Sequence, residues 1–185
     1  PYRIGKLDPA RAHANALGHA RGALYPWRTI AGDECSSHYP TGSAQYHING
    51  DIAHGVALYV AGTGDEAFRA RAAEMLFETA RMWIEIGAFD PRRGGAFCIH
   101  GVTGPDEYSA LVDNDFYTNA IARRHLGYAA DTADWLRARG DLGALAGTIG
   151  LDEDEIATWR KAADAMWLPV DAVLGINPQD DAFLG

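Results

Sequence analysis

The sequence predicts an all-α fold on three observations. Apolar residues recur three or four positions apart through several long segments, the period of a helix that buries one face. A glycine-bearing turn of a few residues joins two of these segments, which makes them an antiparallel hairpin. Strand-like runs never alternate with the helical ones, which argues against a doubly wound sheet. The architecture expected is about five helices, paired as hairpins, with long loops between some of them.

The first helix is expected to start at Asp8-Pro9, with Asp8 as N-cap and Pro9 at the first helical position. It runs through alanines to Leu17 and stops at Gly18. Residues 22–44 have no period and are punctuated by Pro26, Gly32, Pro40 and Gly42, so they form a long loop. That loop carries Tyr25, Trp27, Arg28, Asp33, Glu34, His38 and Tyr39. Rings beside guanidinium and carboxylate groups suit a sugar, with its apolar face on the rings and its hydroxyls on the polar groups. A loop that folds its aromatic residues back onto the core fits the same composition.

Residues 45–61 form the second helix, with Ile48, Ile52, Val56 and Val60 as its apolar stripe. His47, Asp51 and His54 share another face. Such a face can hold a metal, but no further ligand cluster completes a shell, so no metal is expected. His47 and Asp51 then bond each other or line a polar interior. After Gly62–Gly64, Asp65 caps a helix whose stripe is Phe68, Ala72, Leu76, Thr79, Trp83 and Ile86. Gly87 ends it, residues 90–95 turn, and Ala96 to His100 reads as a short strand, one arm of a small β-hairpin near 96–100.

A helix from about Asp115 carries Tyr117, Ile121, Tyr128 and Trp135 as its stripe and breaks at Gly140. A short helical piece reaches about Ile149. Asp152 caps the last helix, with Glu155 as its capping-box partner and Ile156, Trp159, Ala163 and Met166 as its stripe, until Pro169. The tail from Asp171 has no period.

The chain has 185 residues, 48% hydrophobic and 22% charged, which suits one globular core. Its net charge of −9, with no run of Lys or Arg, argues against nucleic-acid and anionic-membrane partners. No apolar run approaches the roughly 20 residues that span a bilayer. Cys35 and Cys98 form no C-x-x-C pair and are expected to be free, buried thiols of a cytoplasmic protein. Pro1 in place of Met fits either a trimmed chain or a piece of a longer one.

The stretch from Gly94 to Asn119 is the densest in polar, acidic and turn residues. Gly101, Gly104 and Pro105 interrupt any regular element, and Asp106 and Glu107 follow directly. Asp113, Asn114 and Asp115 lead into the next helix. A structured loop between helices is where a scaffold places chemistry, and Glu107 is the candidate general acid. Cleaving a glycosidic bond needs a proton delivered to the leaving oxygen by a carboxyl group. Neighbouring side chains in extended backbone point apart, so Asp106 is left to brace the loop. A solvated turn is the alternative. Residues 101–104 lack the lysine of a phosphate-cradling loop. Residues 113–115 open like a calcium loop but lack its later Gly and Glu.

The run HGVTGPDEYSALVDNDFYTN (100–119) closely resembles the catalytic segment of glycoside hydrolase family 65, which contains maltose, trehalose and kojibiose phosphorylases and acid trehalases. Three further runs agree in order: ARGALYPWRTIAGDEC (20–35), GSAQYHINGDIAHGV (42–56) and GINPQDDAFL (175–184). The resemblance implies that the helices are part of an (α/α)6 barrel, and that residues 1–185 are a segment of that single catalytic domain. A β-sandwich before the barrel and a small β domain after it would then be absent. It implies an inverting phosphorolysis of an α-linked glucose disaccharide to β-glucose 1-phosphate, with Glu107 as general acid. It also implies that Trp27, Arg28, Glu34, His47, Asn49, Asp51 and Asp106 touch or support the sugar site. His54 stands where relatives are expected to carry an aromatic residue. No cofactor is implied, and inorganic phosphate enters as co-substrate. The implied partners are the disaccharide, phosphate and a second copy of the full-length enzyme in a homodimer. A hydrolase of the same family, and a non-catalytic helical module that binds carbohydrate, stay open as alternatives.

Overall fold

Residues 1–37 and 42–185 are described in the structure, a computed structural model. His38, Tyr39 and Pro40 of the long loop lie outside the described residues. A 3-10 turn at Ile4–Lys6 runs directly into α1, Leu7–Ala16. The helix therefore begins before Asp8, and Asp8 is not its N-cap. Pro9 falls at the third helical position, where the missing N–H is still one of the four that no helix satisfies internally. Asp8 accepts a hydrogen bond from Arg11 instead.

Helix α2 is His47–Thr63 and α3 is Glu66–Ile86. Gly64 ends α2 in the left-handed conformation (φ 68°), and its N–H reaches the carbonyl of Val60. Asp65 then caps α3 by accepting from the N–H of Phe68 at 2.8 Å. With so short a link the two helices pack side by side. Along α3, Phe68, Ala72, Leu76, Thr79 and Trp83 are buried as their spacing predicts, and Ile86 is partly buried.

The chain leaves α3 straight into a strand. β1, Gly87–Asp90, pairs antiparallel with β2, Ala96–Ile99, with Gly87 opposite Ile99 and Asp90 opposite Ala96. Gly87 is therefore both helix terminus and first strand residue, and the partner strand was hidden behind that glycine. A Cβ there would sit 2.4 Å from the Phe97 ring, so any larger residue would displace Phe97 or part the strands. The described fold is thus mostly helical with one two-stranded sheet.

Helix α4, Phe116–Arg139, packs against α2, α3 and the last helix; α5 is Leu142–Ile149 and α6 is Glu153–Asp164. Its buried line is Ile121, Ala122, Leu126, Ala129, Ala130 and Ala133. The predicted aromatic stripe is displaced: Tyr117 is 42% exposed, and Tyr128 and Trp135 only border the core. Alanines let several helices approach α4 closely, and the larger rings are forced to the seams. There the Arg69 guanidinium lies over both Tyr128 and Trp135. Close approach also explains Gly50, because a Cβ there would lie 2.7 Å from the Ile121 side chain.

Asp152 caps α6 through the N–H of Glu155 at 2.8 Å, but Glu155 does not complete the capping box. Its carboxylate grips the buried Arg81 of α3, from Nε at 2.6 Å and Nη2 at 3.0 Å. A buried guanidinium that Glu78 alone leaves short of counter-charged partners is the stronger demand. Ile156, Trp159, Ala163 and Met166 are all buried. Cys98 is buried and Cys35 exposed, both free, so the expected burial holds for one thiol. Among the described residues no helix is long and apolar enough to cross a membrane.

Candidate functional site

The residues from 100 to 115 form a closed loop between β2 and α4. Val102 and Val112 exchange backbone hydrogen bonds of 3.0 and 2.9 Å and make its neck. The Thr103 hydroxyl donates to the carbonyl of Ala110 one step further in. At the base, Asn114 adopts a left-handed conformation (φ 55°), which an Asn tolerates better than most side chains. Its N–H donates to Ile99, its Oδ1 accepts from Ile99 and Asn119, and its Nδ2 donates to Asp181. Asp115, also buried, caps α4 by accepting from the N–H and hydroxyl of Thr118 at 2.7 and 2.6 Å. Gly104 lies against that carboxylate, where a Cβ would come within 2.5 Å of Oδ2.

The tip of this loop, Pro105 to Tyr108, lines an open hollow of about 460 Å³. Glu107 is exposed there, and so is Asp106. Oε1 of Glu107 accepts a 2.9 Å hydrogen bond from Nε2 of the buried Gln45. Asp106 points elsewhere: Oδ2 accepts from Gln179 at 3.2 Å and Oδ1 from the N–H of Tyr108. The adjacent carboxylates thus take different partners, in a backbone that turns at this point. Both border the hollow, but Glu107 is held by Gln45 while Asp106 ties the loop to the C-terminal tail.

Three turns of chemistry meet at the start of α2. Nδ1 of His47 lies 2.9 Å from Oδ2 of Asp51, and the Tyr117 hydroxyl donates to Oδ1 of Asp51 at 2.6 Å. That hydrogen bond and partial burial push the Tyr117 phenol up to about 12, so it stays a neutral donor. His47 is 3% exposed, and its Nε2 has no partner among the described residues. Asn49 plays a different part. Its Oδ1 accepts from the N–H of Tyr25 and its Nδ2 donates to the carbonyl of Ala23, which pins the long loop to α2. Both ends of its amide are engaged with the loop backbone, so it holds the site together.

Beyond that anchor, Trp27 (49% exposed) and Arg28 stand on the surface. Glu34 pairs with Thr29 through the backbone and turns its carboxylate onto the N–H of Ser36. Among the described residues no three His, Cys, Asp or Glu side chains gather where they could hold a metal ion. The sequence reading did not single out Gln45, Tyr117 as a donor to Asp51, Asn114 as the loop's base, or Gln179. Gln45 and Gln179 sit inside runs already marked as informative, but a lone glutamine has no spacing signature.

Hydrogen bonds join all four of those runs. Asn49 binds 20–35 to 42–56, Gln45 binds 42–56 to 100–119, and Phe116 and Asp106 bind 100–119 to Gln179. The pattern of the glycosyl hydrolase family 65 central catalytic domain matches residues 1–185. The chain belongs to glycosyl hydrolase family 65. It is 50% identical to an α,α-trehalose phosphorylase of Thermoanaerobacter brockii, over 99% of this chain and 24% of that protein. It is 48% identical to an α,α-trehalose phosphorylase of Geobacillus stearothermophilus over the same shares. This family 65 chain therefore spans about a quarter of the length of these relatives. Its fold is that of 26% of a putative kojibiose phosphorylase from the human microbiome, with a TM-score of 0.86 over 98% of this chain at 24% identity.

Proposed function

We propose that the full-length protein cleaves α,α-trehalose by inverting phosphorolysis, with Glu107 as the general acid. The observation that carries the acid assignment is the Glu107 carboxylate at the hollow, held by the buried Gln45 amide on a loop braced at neck, base and flank. Identities of 50% and 48% to trehalose phosphorylases support trehalose over maltose or kojibiose. The carboxyl of Glu107 gives its proton to the oxygen between the two glucose units. The bond from that oxygen to the anomeric carbon breaks, and its electron pair stays on the oxygen. A phosphate oxygen attacks the anomeric carbon from the opposite face, which yields β-glucose 1-phosphate and glucose. Phosphate brings its own charge, so this route needs no base from the protein and no cofactor.

Glu107 is open to solvent at the edge of this quarter-length chain. We place the chain in one (α/α)6 barrel, whose remaining helices would close over the hollow. Trp27 and His47 are then positioned to meet the sugars, and Asp51 and Tyr117 hold the His47 ring. The test is to incubate the full-length protein with trehalose, with and without phosphate, and follow anomeric signals by NMR. Equal amounts of β-glucose 1-phosphate and glucose, with no turnover lacking phosphate, are expected. Two glucose molecules released at the same rate without phosphate would establish a hydrolase instead. Cleavage of maltose or kojibiose but not trehalose would overturn the choice of substrate.

A further inference from the structure

We propose that Gln45 is the positioning residue that sets Glu107 for proton transfer; this rests on the reading of Glu107 as the acid. Among the described residues, its amide donates the one hydrogen bond that the Glu107 carboxyl accepts, at 2.9 Å. Gln45 is 5% exposed, whereas Glu107 is exposed, so a fixed donor from the interior holds a side chain that would otherwise sample many rotamers. The backbone beneath is fixed too, because the N–H of Thr103 donates to the carbonyl of Ala44 at 3.0 Å. Nε2 of Gln45 also reaches the carbonyl of Gly104 at 3.4 Å. The amide thus bridges the loop's rising arm and its acidic tip.

The donor contacts one carboxyl oxygen only. With Oε1 occupied by an N–H, the transferable proton resides on Oε2, the oxygen turned away from Gln45. After transfer the same N–H faces a carboxylate, and a hydrogen bond to a charged acceptor is stronger than one to a neutral carboxyl. The contact therefore strengthens along the reaction, the condition for lowering a barrier. A second observation separates this role from simple bracing. Oε1 of Gln45 is buried with no partner among the described residues. Buried polar atoms are normally paired, and a side chain chosen only to brace a loop would satisfy both its ends. An unfilled acceptor thus lies on the side chain that fixes the acid.

The experiment compares Gln45→Leu and Glu107→Gln in the full-length protein on trehalose and on α-glucosyl fluoride, both with phosphate. Fluoride leaves without needing a proton from Glu107, so this substrate bypasses the acid. For Gln45→Leu, kcat on trehalose is expected to fall about 10- to 100-fold, while turnover of the fluoride stays within about threefold of wild type. Retained fluoride turnover also shows that the variant is folded. A fall on both substrates alike would make Gln45 a structural residue, and unchanged trehalose turnover would make it dispensable; either result overturns the proposal. Should Glu107→Gln itself keep full trehalose turnover, the acid assignment fails, an outcome distinct from failure of Gln45 alone.

Discussion

The indole N–H of Trp83 donates to Nδ1 of His125 at 2.8 Å in the centre of the helical core. Neither residue is more than 1% exposed. Nε2 of His125 lies 3.1 Å from the carbonyl of Leu76, so the ring is neutral with its proton on Nε2. A second proton would have to sit on Nδ1, facing the indole N–H. Burial pulls His125 down to about 4 from its usual 6.5.

This sets a stability profile with a definite sign. The unfolded chain takes up a proton near pH 6.5, and the folded one does not until about pH 4. Stability from this group is complete above 6.5 and declines as pH falls towards 4, by about 3 kcal/mol at the limit. Thermal melts of wild type and His125→Gln between pH 7 and 4.5 check it. The wild type is expected to lose more of its midpoint than the variant, which has no group to protonate there.

Arg81 and Glu155 tie α3 to α6 where both are largely hidden, with side-chain exposures of 6% and 14%. Glu155→Ala leaves the guanidinium with Glu78 and the carbonyl of Gly150, and the expected loss is about 2–3 kcal/mol. Arg137→Ala breaks two exposed pairs, with Asp134 and Glu153, and is expected to cost less than about 1 kcal/mol. Chemical denaturation of the two variants measures the contrast.

Gly104 is a glycine for reasons of space, since it packs on the carboxylate that caps α4. Gly104→Ala must push the loop or Asp115 aside. A loss of about 1–3 kcal/mol is expected from the clash and the weakened cap, together with a fall in kcat because Glu107 rides on the same loop. Substrate turnover and melting temperature of the full-length variant report the two effects separately.

Much of this was legible in the sequence because its causes are local. Asp65 and Asp152 cap their helices from adjacent residues, and the stripes of α3 and α6 bury as their period requires. What the period could not supply was the competition among partners. Glu155 left its capping box for an arginine 74 residues away in the chain. The aromatic residues of α4 moved to seams because alanines let three elements crowd it. β1 was masked by a glycine that serves two elements at once. At the site, Glu107 was legible from its loop and its resemblance. Gln45 was not, because a bond between residues 62 positions apart leaves no trace in either one's neighbourhood.

The most direct measurement is kcat for trehalose phosphorolysis by full-length Glu107→Gln, which keeps the shape of the side chain and removes its transferable proton. A fall of about a hundredfold or more is predicted. Turnover within a few-fold of wild type would show that the proton comes from another group.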